Sequence, residues 1–272
     1  MGVRSIRRSV AVALCAAAFG APAHASLGSV ISSFYVADNY HYWSRGVSRD
    51  STYLYWVVTE LYPGYSLHYD DFHGGGGSVY IRNSYSGHGD ADASILGPGY
   101  FADICYVDGV QVVADFDLAT GLPIGSWAPL SSMTGYAYNP ELGIRYVGDE
   151  YGRVHRYDSN GSFLGSFLTA GPIGLAAASD FAGYHGEYII VTKSHYWYVY
   201  NAMGVEVDRV EFPIAGGLGE SACGPGNPAE YGTTLWCMGI AGDLNDYVFQ
   251  ISMHNATAVT PASVGRIKAL YR

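Results

Sequence analysis

The stretch Gly135–Gly171, GYAYNPELGIRYVGDEYGRVHRYDSNGSFLGSFLTAG, decides how the rest of the chain is read. Tyr136–Tyr138 alternates as a short strand and stops at Asn139-Pro140, a turn pair. Ile144–Val147, Val154–Tyr157 and Ser162–Leu168 are three more runs of β-branched and aromatic residues. The turns Asp149–Gly152 and Asp158–Gly161 separate them. Four short strands joined by Asx/Gly turns in roughly 35–40 residues make one blade of a β-propeller.

Looser copies of this unit recur. A glycine marks a short inner strand in Gly46–Asp50, Gly99–Asp103, Gly135–Asn139, Gly174–Ala178 and Gly219–Cys223. Apolar second strands are expected at Tyr53–Val58, Ile104–Val107, Ile144–Val147, Tyr188–Val191 and Leu235–Met238. Third strands are expected at Tyr65–Tyr69, Val110–Phe116, Val154–Tyr157, Tyr196–Tyr200 and Tyr247–Ile251. In the fourth strand a turn glycine precedes a bulky residue by six positions: Gly121 and Trp127, Gly161 and Phe167, Gly204 and Val210. Gly28 and Phe34 repeat that spacing near the N-terminus, where no inner strands come before them, while the last unit runs past Ile251 without a fourth strand. The expectation is an all-β, single β-propeller of five four-stranded antiparallel blades, with residues 27–36 closing the last blade and removing an exposed edge. The first blade is irregular: its fourth strand, Ser78–Tyr85, follows Gly74–Gly77, and Ser86–Ser94 reads as a polar loop.

Residues 1–25 read as a signal peptide. Arg4, Arg7 and Arg8 precede the apolar Val10–Phe19, and Ala23-His24-Ala25 fits a small-x-small cleavage site. The propeller then covers 26–258, and 259–272 is a C-terminal tail with no counterpart in the repeat. Export places the protein in the periplasm or outside the cell, with no transmembrane segment, since no later stretch reaches 18 apolar residues. Cleavage removes three of 14 basic residues and none of 24 acidic ones, so the mature chain carries a net charge of −13. That argues against a nucleic-acid partner, which needs a basic stripe. The chain is expected to be a monomer.

With inner glycines, Tyr/Val-rich strands, Asp-x-x-Gly turns and a Gly-Ser-Phe-like outer strand, residues 27–253 resemble the broad group of exported bacterial β-propellers with loosely repeated blades. The resemblance implies a binding or surface-interaction module. It carries over no catalytic set.

The residues offer few enzymatic alternatives. Carboxylates around a propeller channel could serve a polysaccharide hydrolase or lyase, and Asp50, Asp103, Asp180 and Glu220 lie in or beside inner strands. Asp50 and Asp103 occupy one repeat position, filled by Asn139 in the third blade, which assigns them to Asx turns. Glu220, inside its strand, is the one candidate channel carboxylate and so the weak candidate for catalysis. His68 and Asp70 are weak metal candidates, with His73 set off from their strand face. The loop His88-Gly-Asp90-Ala-Asp92 is the weak Ca²⁺ candidate, short of a full Ca²⁺-loop spacing. No cofactor is expected. Gly-x-Ser-x-Gly is absent, and Gly74–Gly77 lacks the Lys-Ser/Thr of a phosphate loop.

Binding is better supplied. Tyr40, Tyr42 and Trp43 crowd three rings into four positions ahead of the first inner strand, more than one strand face can bury. Rings with polar tips suit glycan, envelope or protein partners. His195-Tyr196-Trp197-Tyr198 is a second cluster, half of which alternation sends into the core. Cys223 and Cys237, on neighbouring strands of the last blade, are the expected disulfide; Cys105 remains as a small buried side chain.

Overall fold

The ladders of the computed structural model run in five separate four-stranded antiparallel sheets. The structure describes residues 27–38, 43–50, 52–59, 64–71, 76–82, 94–97, 99–130, 132–171, 174–182, 184–193, 195–211, 218–225, 233–240 and 245–253. The expected signal peptide, the tail 259–272 and the loop from Ser86 to Ala93 lie outside them.

In chain order, β1 is Val30–Asp38. Blade 1 contains β2 (Trp43–Arg49), β3 (Leu54–Thr59), β4 (Gly64–Asp70) and β5 (Gly77–Arg82). Blade 2 contains β6 (Ser94–Gly97), β7 (Tyr100–Val107), β8 (Val110–Asp117) and β9 (Pro123–Trp127). Blade 3 contains β10 (Met133–Asn139), β11 (Ile144–Asp149), β12 (Arg153–Asp158) and β13 (Phe163–Leu168). Blade 4 contains β14 (Gly174–Phe181), β15 (Tyr184–Lys193), β16 (Tyr196–Asn201) and β17 (Glu206–Glu211). Blade 5 is β18 (Leu218–Pro225), β19 (Thr233–Ile240) and β20 (Asn245–Ser252), completed by β1. The chain is a five-bladed β-propeller closed by its N-terminal strand.

The core is divided among the blade interfaces. Strand alternation sends neighbouring side chains to opposite faces of each sheet, and both faces of a blade meet another blade. On β7, Phe101 and Cys105 pack with Tyr55 and Leu67 of blade 1, while Ala102 and Ile104 pack with Tyr136 and Tyr157 of blade 3. Similar clusters join blades 3 and 4 around Tyr146 and Ile189, and blades 4 and 5 around Trp197 and Leu235. The ring closes where Trp236 and Val248 of blade 5 meet Val47 and Leu54 of blade 1.

The six-residue glycine spacing has a physical cause that crosses blades. Gly28, Gly161 and Gly204 each lie under a bulky outer-strand residue of the preceding blade. A Cβ on Gly161 would stand 3.3 Å from the Trp127 ring, one on Gly204 2.3 Å from Phe167 Cβ, and one on Gly28 2.6 Å from Val210 Cγ1. Gly28 therefore does at the chain's beginning what Gly161 and Gly204 do inside continuous hairpins. Backbone bonding agrees. Gly161 N–H donates to the Asp158 carbonyl and Asp158 N–H to that of Ser162, while Gly204, Asn201 and Val205 repeat the pattern. In blade 5, Gly28 N–H donates to the Ser252 carbonyl (2.9 Å) and Ser252 N–H to that of Ser29 (2.9 Å). A bulge one residue before this turn recurs at Phe116, Tyr157, Tyr200 and Ile251. Blade 5 is thus a standard hairpin with its loop cut.

Blade 2 departs from expectation. Its inner strand is β6, beginning at the Ser94 that was read as the end of a polar loop, and Gly99–Asp103 is the turn and first half of the second strand. Gly99 has φ +85° and supplies the β6–β7 turn, not a strand start. The second and third strands meet where expected, at Asp108-Gly109, whose two positive φ values (50° and 79°) define a type I′ turn between eight-residue strands. Asp103 therefore makes no Asx turn. It is fully buried in mid-strand opposite Ala114.

Candidate functional site

Up-and-down connectivity gives the ring two unlike ends. Turns after first and third strands share one end; turns after second strands, and the links between blades, share the other.

At the first end, Asp50, Asp117, Asn139, Asp158 and Asn201 are occupied by their own turns. Asp50 Oδ1 accepts from the N–H groups of Thr52 and Tyr53 (both 2.7 Å), and Oδ2 accepts from the Tyr55 hydroxyl at 2.8 Å. Burial first, then the bond to Asp50, drives the Tyr55 pKa up, so the phenol stays a donor. Asn139 Oδ1 accepts from Glu141 and Leu142 N–H in the same way. Asp117, Asp158 and Asn201 cap the third-strand turns. Asp50 and Asn139 are equivalent turn formers, as the sequence suggests. Asp103 is excluded from that set by its buried place in β7.

The backbone spreads the remaining inner-strand carboxylates along the axis. Cys223 pairs with Leu235, Ala177 with Ile189 and Arg49 with Leu54, and these partners occupy one rung, each lying opposite the residue that precedes its third-strand turn. Glu220 comes three residues before its rung, Asp50 one after and Asp180 three after. At about 3.3 Å per residue, Glu220 lies roughly 13 Å along the axis from Asp50 and about 15–20 Å from Asp180. A retaining or inverting pair needs carboxyls about 5–10 Å apart.

The second end carries the binding candidates. Trp43 opens β2 opposite Thr59, and β1 ends at Asp38. Tyr40 and Tyr42 fall outside the described residues. Tyr151 projects from the β11–β12 turn with 75% of its surface exposed. His195 is exposed in the β15–β16 turn, Tyr196 is half-buried, and Trp197 is buried against Phe181. Tyr198 is half-buried on the opposite face of blade 4, packed against the cluster shared with blade 3, with the Arg209 guanidinium 4.7 Å from its ring centroid.

The turn under Tyr151 is rigidly made. Asp149, almost fully buried, accepts from Tyr151 N–H (2.9 Å) and Arg153 N–H (2.8 Å) through Oδ1, and Oδ2 lies 2.9 Å from His155 Nε2. Burial opposes ionisation, yet the bond to His155 and the two N–H groups outweigh it and hold the carboxyl below its usual range. A depressed folded-state pKa gives stability that is present above the unfolded value of about 3.9 and lost as pH falls through the folded one. Asp149→Asn is expected to cost about 1–3 kcal/mol at pH 7. Its deficit against the parent, read from urea midpoints, should shrink below about pH 4.

Two ion pairs that sequence inspection did not find join the blades, because their partners lie 30 and 31 residues apart. Arg145 forms a two-pronged contact with Asp115 (2.8 and 2.9 Å), and Arg156 does so with Glu187 (2.7 Å for both contacts). The third strand supplies the acid in the first pair and the base in the second, so the blades would be mispaired in another order.

His68 lies in β4, stacked on Trp56 at 5.8 Å, and Asp70 ends the same strand opposite Leu54. Among the described residues no group of three or more His, Cys, Asp or Glu side chains is arranged to hold a metal. His73, His88, Asp90 and Asp92 lie outside them. Cys105 is buried, and burial, with the nearby Asp103 charge, pushes its thiol up to about 12, which removes it as a nucleophile. Cys223 and Cys237 lie on paired strands one diagonal step apart, Cys237 across from Ser221 and Cys223 across from Leu235. No described helix is long and apolar enough to cross a membrane.

Fold and site together define a five-bladed β-propeller with an exposed loop face and capped turn carboxylates. No protein-family model matches the chain, and no curated protein matches it in sequence. Among solved structures it is similar to one described as BBS1N in complex with ARL6DN, soaked with mercury, at 14% identity and a TM-score of 0.42. The likeness covers 78% of this chain and 65% of that one.

Proposed function

We propose that this chain is an exported, non-enzymatic interaction module that binds a glycan, envelope or protein partner with the loop face around Trp43 and Tyr151. The observation that carries the reading is the separation of roles between the two ends of the ring. Asp50, Asp117 and Asp158 at the turn end are engaged by their own backbone, while the linker end, where β2 also starts, offers Tyr151 on a stiff turn. An aromatic ring held by a preorganised hairpin loses little entropy on binding. The rise between Glu220 and the other inner-strand carboxylates counts against a hydrolase or lyase. Periplasmic or extracellular placement belongs to the same proposal, as does a Cys223–Cys237 bridge. The denatured mature chain would show one thiol with that bridge and three without it.

The test is retention of the mature protein on purified peptidoglycan sacculi and on a polysaccharide array. The Tyr42→Ala/Trp43→Ala and Tyr151→Ala variants are run beside Met203→Ala, which alters an exposed side chain at the opposite end. Loss of tenfold or more in the first two, with Met203→Ala unchanged, is expected, about 1.4 kcal/mol per decade. Equal retention of all four proteins would sink the assignment of the face. Release of reducing ends that stops in Glu220→Gln would establish the hydrolase instead.

A further inference from the structure

The outer strand of each blade presents an unpaired edge to solvent, an invitation to strand addition that proteins usually blunt with charge, proline or bulges. Four outer strands carry such a guard: Asp38 in β1, Arg82 in β5, Pro123 in β9, and Glu206, Asp208, Arg209 and Glu211 in β17. The fifth, β13, reads Phe-Leu-Gly-Ser-Phe-Leu, with neither charge nor proline. Leu164 and Leu168 are 50% and 61% exposed. Its one irregularity, the bulge at Leu164, leaves Gly165–Leu168 in regular register with Arg153–Arg156.

The direction of the free bonding groups follows from the ladder. Thr169 N–H donates inward to the Gly152 carbonyl at 2.8 Å. Antiparallel pairs alternate, so Phe167 and Gly165 also bond inward, and the N–H and C=O of Ser166 and Leu168 point out. We infer that β13 is a self-association edge whose occupant is β13 of a second copy of this chain, paired antiparallel about a two-fold axis at Phe167. In that register Ser166 lies opposite Leu168 of the copy and the reverse, which satisfies four outward groups on each side with four N–H···O bonds. Leu168 then meets the copy's Leu164 on the diagonal, and the bulge stays outside the paired segment. A second copy suits the edge for a reason in the sequence itself: two-fold pairing needs an uncharged, self-complementary strand, and β13 alone among the outer strands is one. The paired segment is short, so the dimer is weak and dependent on concentration.

Sedimentation equilibrium of the full mature protein from about 1 to about 500 µM tests this, since dimers this weak assemble within that range. The expected result is a weight-average mass rising toward twice the monomer in the parent. Leu168→Lys charges the edge, and Ser166→Pro deletes an outward donor that the native ladder does not use. Both should stay monomeric over the range with unchanged thermal midpoints, while Ile124→Lys on β9 should dimerise like the parent. A parent that stays monomeric throughout would overturn the inference, as would dimerisation undiminished in both β13 variants or an open-ended rise in mass.

Discussion

Gly204→Ala is expected to lower stability by about 3 kcal/mol, and Gly143→Ala by about 1 kcal/mol. Both glycines have left-handed φ, +74° and +64°, so both variants bear the strain of a side chain in that region. They differ in what the new methyl group meets. At Gly143 nothing lies within 4 Å; at Gly204 the methyl would fall 2.3 Å from Phe167 Cβ and 2.5 Å from its Cγ. Neither of those atoms is a free side-chain end, because Phe167 leaves β13 and packs at the junction of blades 3 and 4. Relief therefore requires moving one blade against the next, at about 2 kcal/mol beyond the backbone strain. In thermal unfolding the difference corresponds to about 4–8 °C for a domain of this size. Equal losses at the two positions would show that the blade contact yields. Gly28→Ala, 2.6 Å from Val210 Cγ1, should behave like Gly204→Ala if the seam is as tight as a covalent hairpin.

Removal of residues 27–38 is expected to abolish cooperative folding. Without β1, blade 5 keeps three strands, and β20 presents the edge that pairs with Val30–Asp38. The lost ladder and the apolar surface around Val248 and Ile251 together rival the roughly 5–15 kcal/mol that hold an ordinary domain folded. Urea unfolding of the shortened chain should show no sigmoidal transition. A synthetic peptide of residues 27–38 added in trans should restore one, because the contacts from Gly28 and Ser29 to Ser252 need no covalent loop. A shortened chain with an unchanged midpoint would refute the closure.

Much of this was legible in the residues because a propeller repeats its local chemistry. Turn glycines, Asx residues and apolar alternation each report on a hairpin of a few residues, and the Gly28–Phe34 spacing placed the missing outer strand, whose partner β20 lies far along the chain (Val30 opposite Ile251). In blade 2 only the inner strand differs from expectation, because Gly99 imitates the inner-strand glycines, while the second and third strands flank Asp108-Gly109 as expected. In the aromatic cluster around His195, alternation turns Trp197 toward blade 5 and Tyr198 toward blade 3, so both rings pack between blades. The pairs Arg145–Asp115 and Arg156–Glu187 could not be read at all, since their distance in sequence carries no local signal.

By itself the sequence determined the blade repeat, the turn chemistry and the strand that closes the ring, because period-two alternation and left-handed turns are imposed by the backbone within a few residues. Tertiary structure alone decided which blade each glycine supports, that Asp103 is a core residue, that Glu220 stands far along the axis from Asp50 and Asp180, and that β13 is an outer edge without a guard. Those facts depend on the height and facing of strands in different sheets, which arise only when five blades pack against one another.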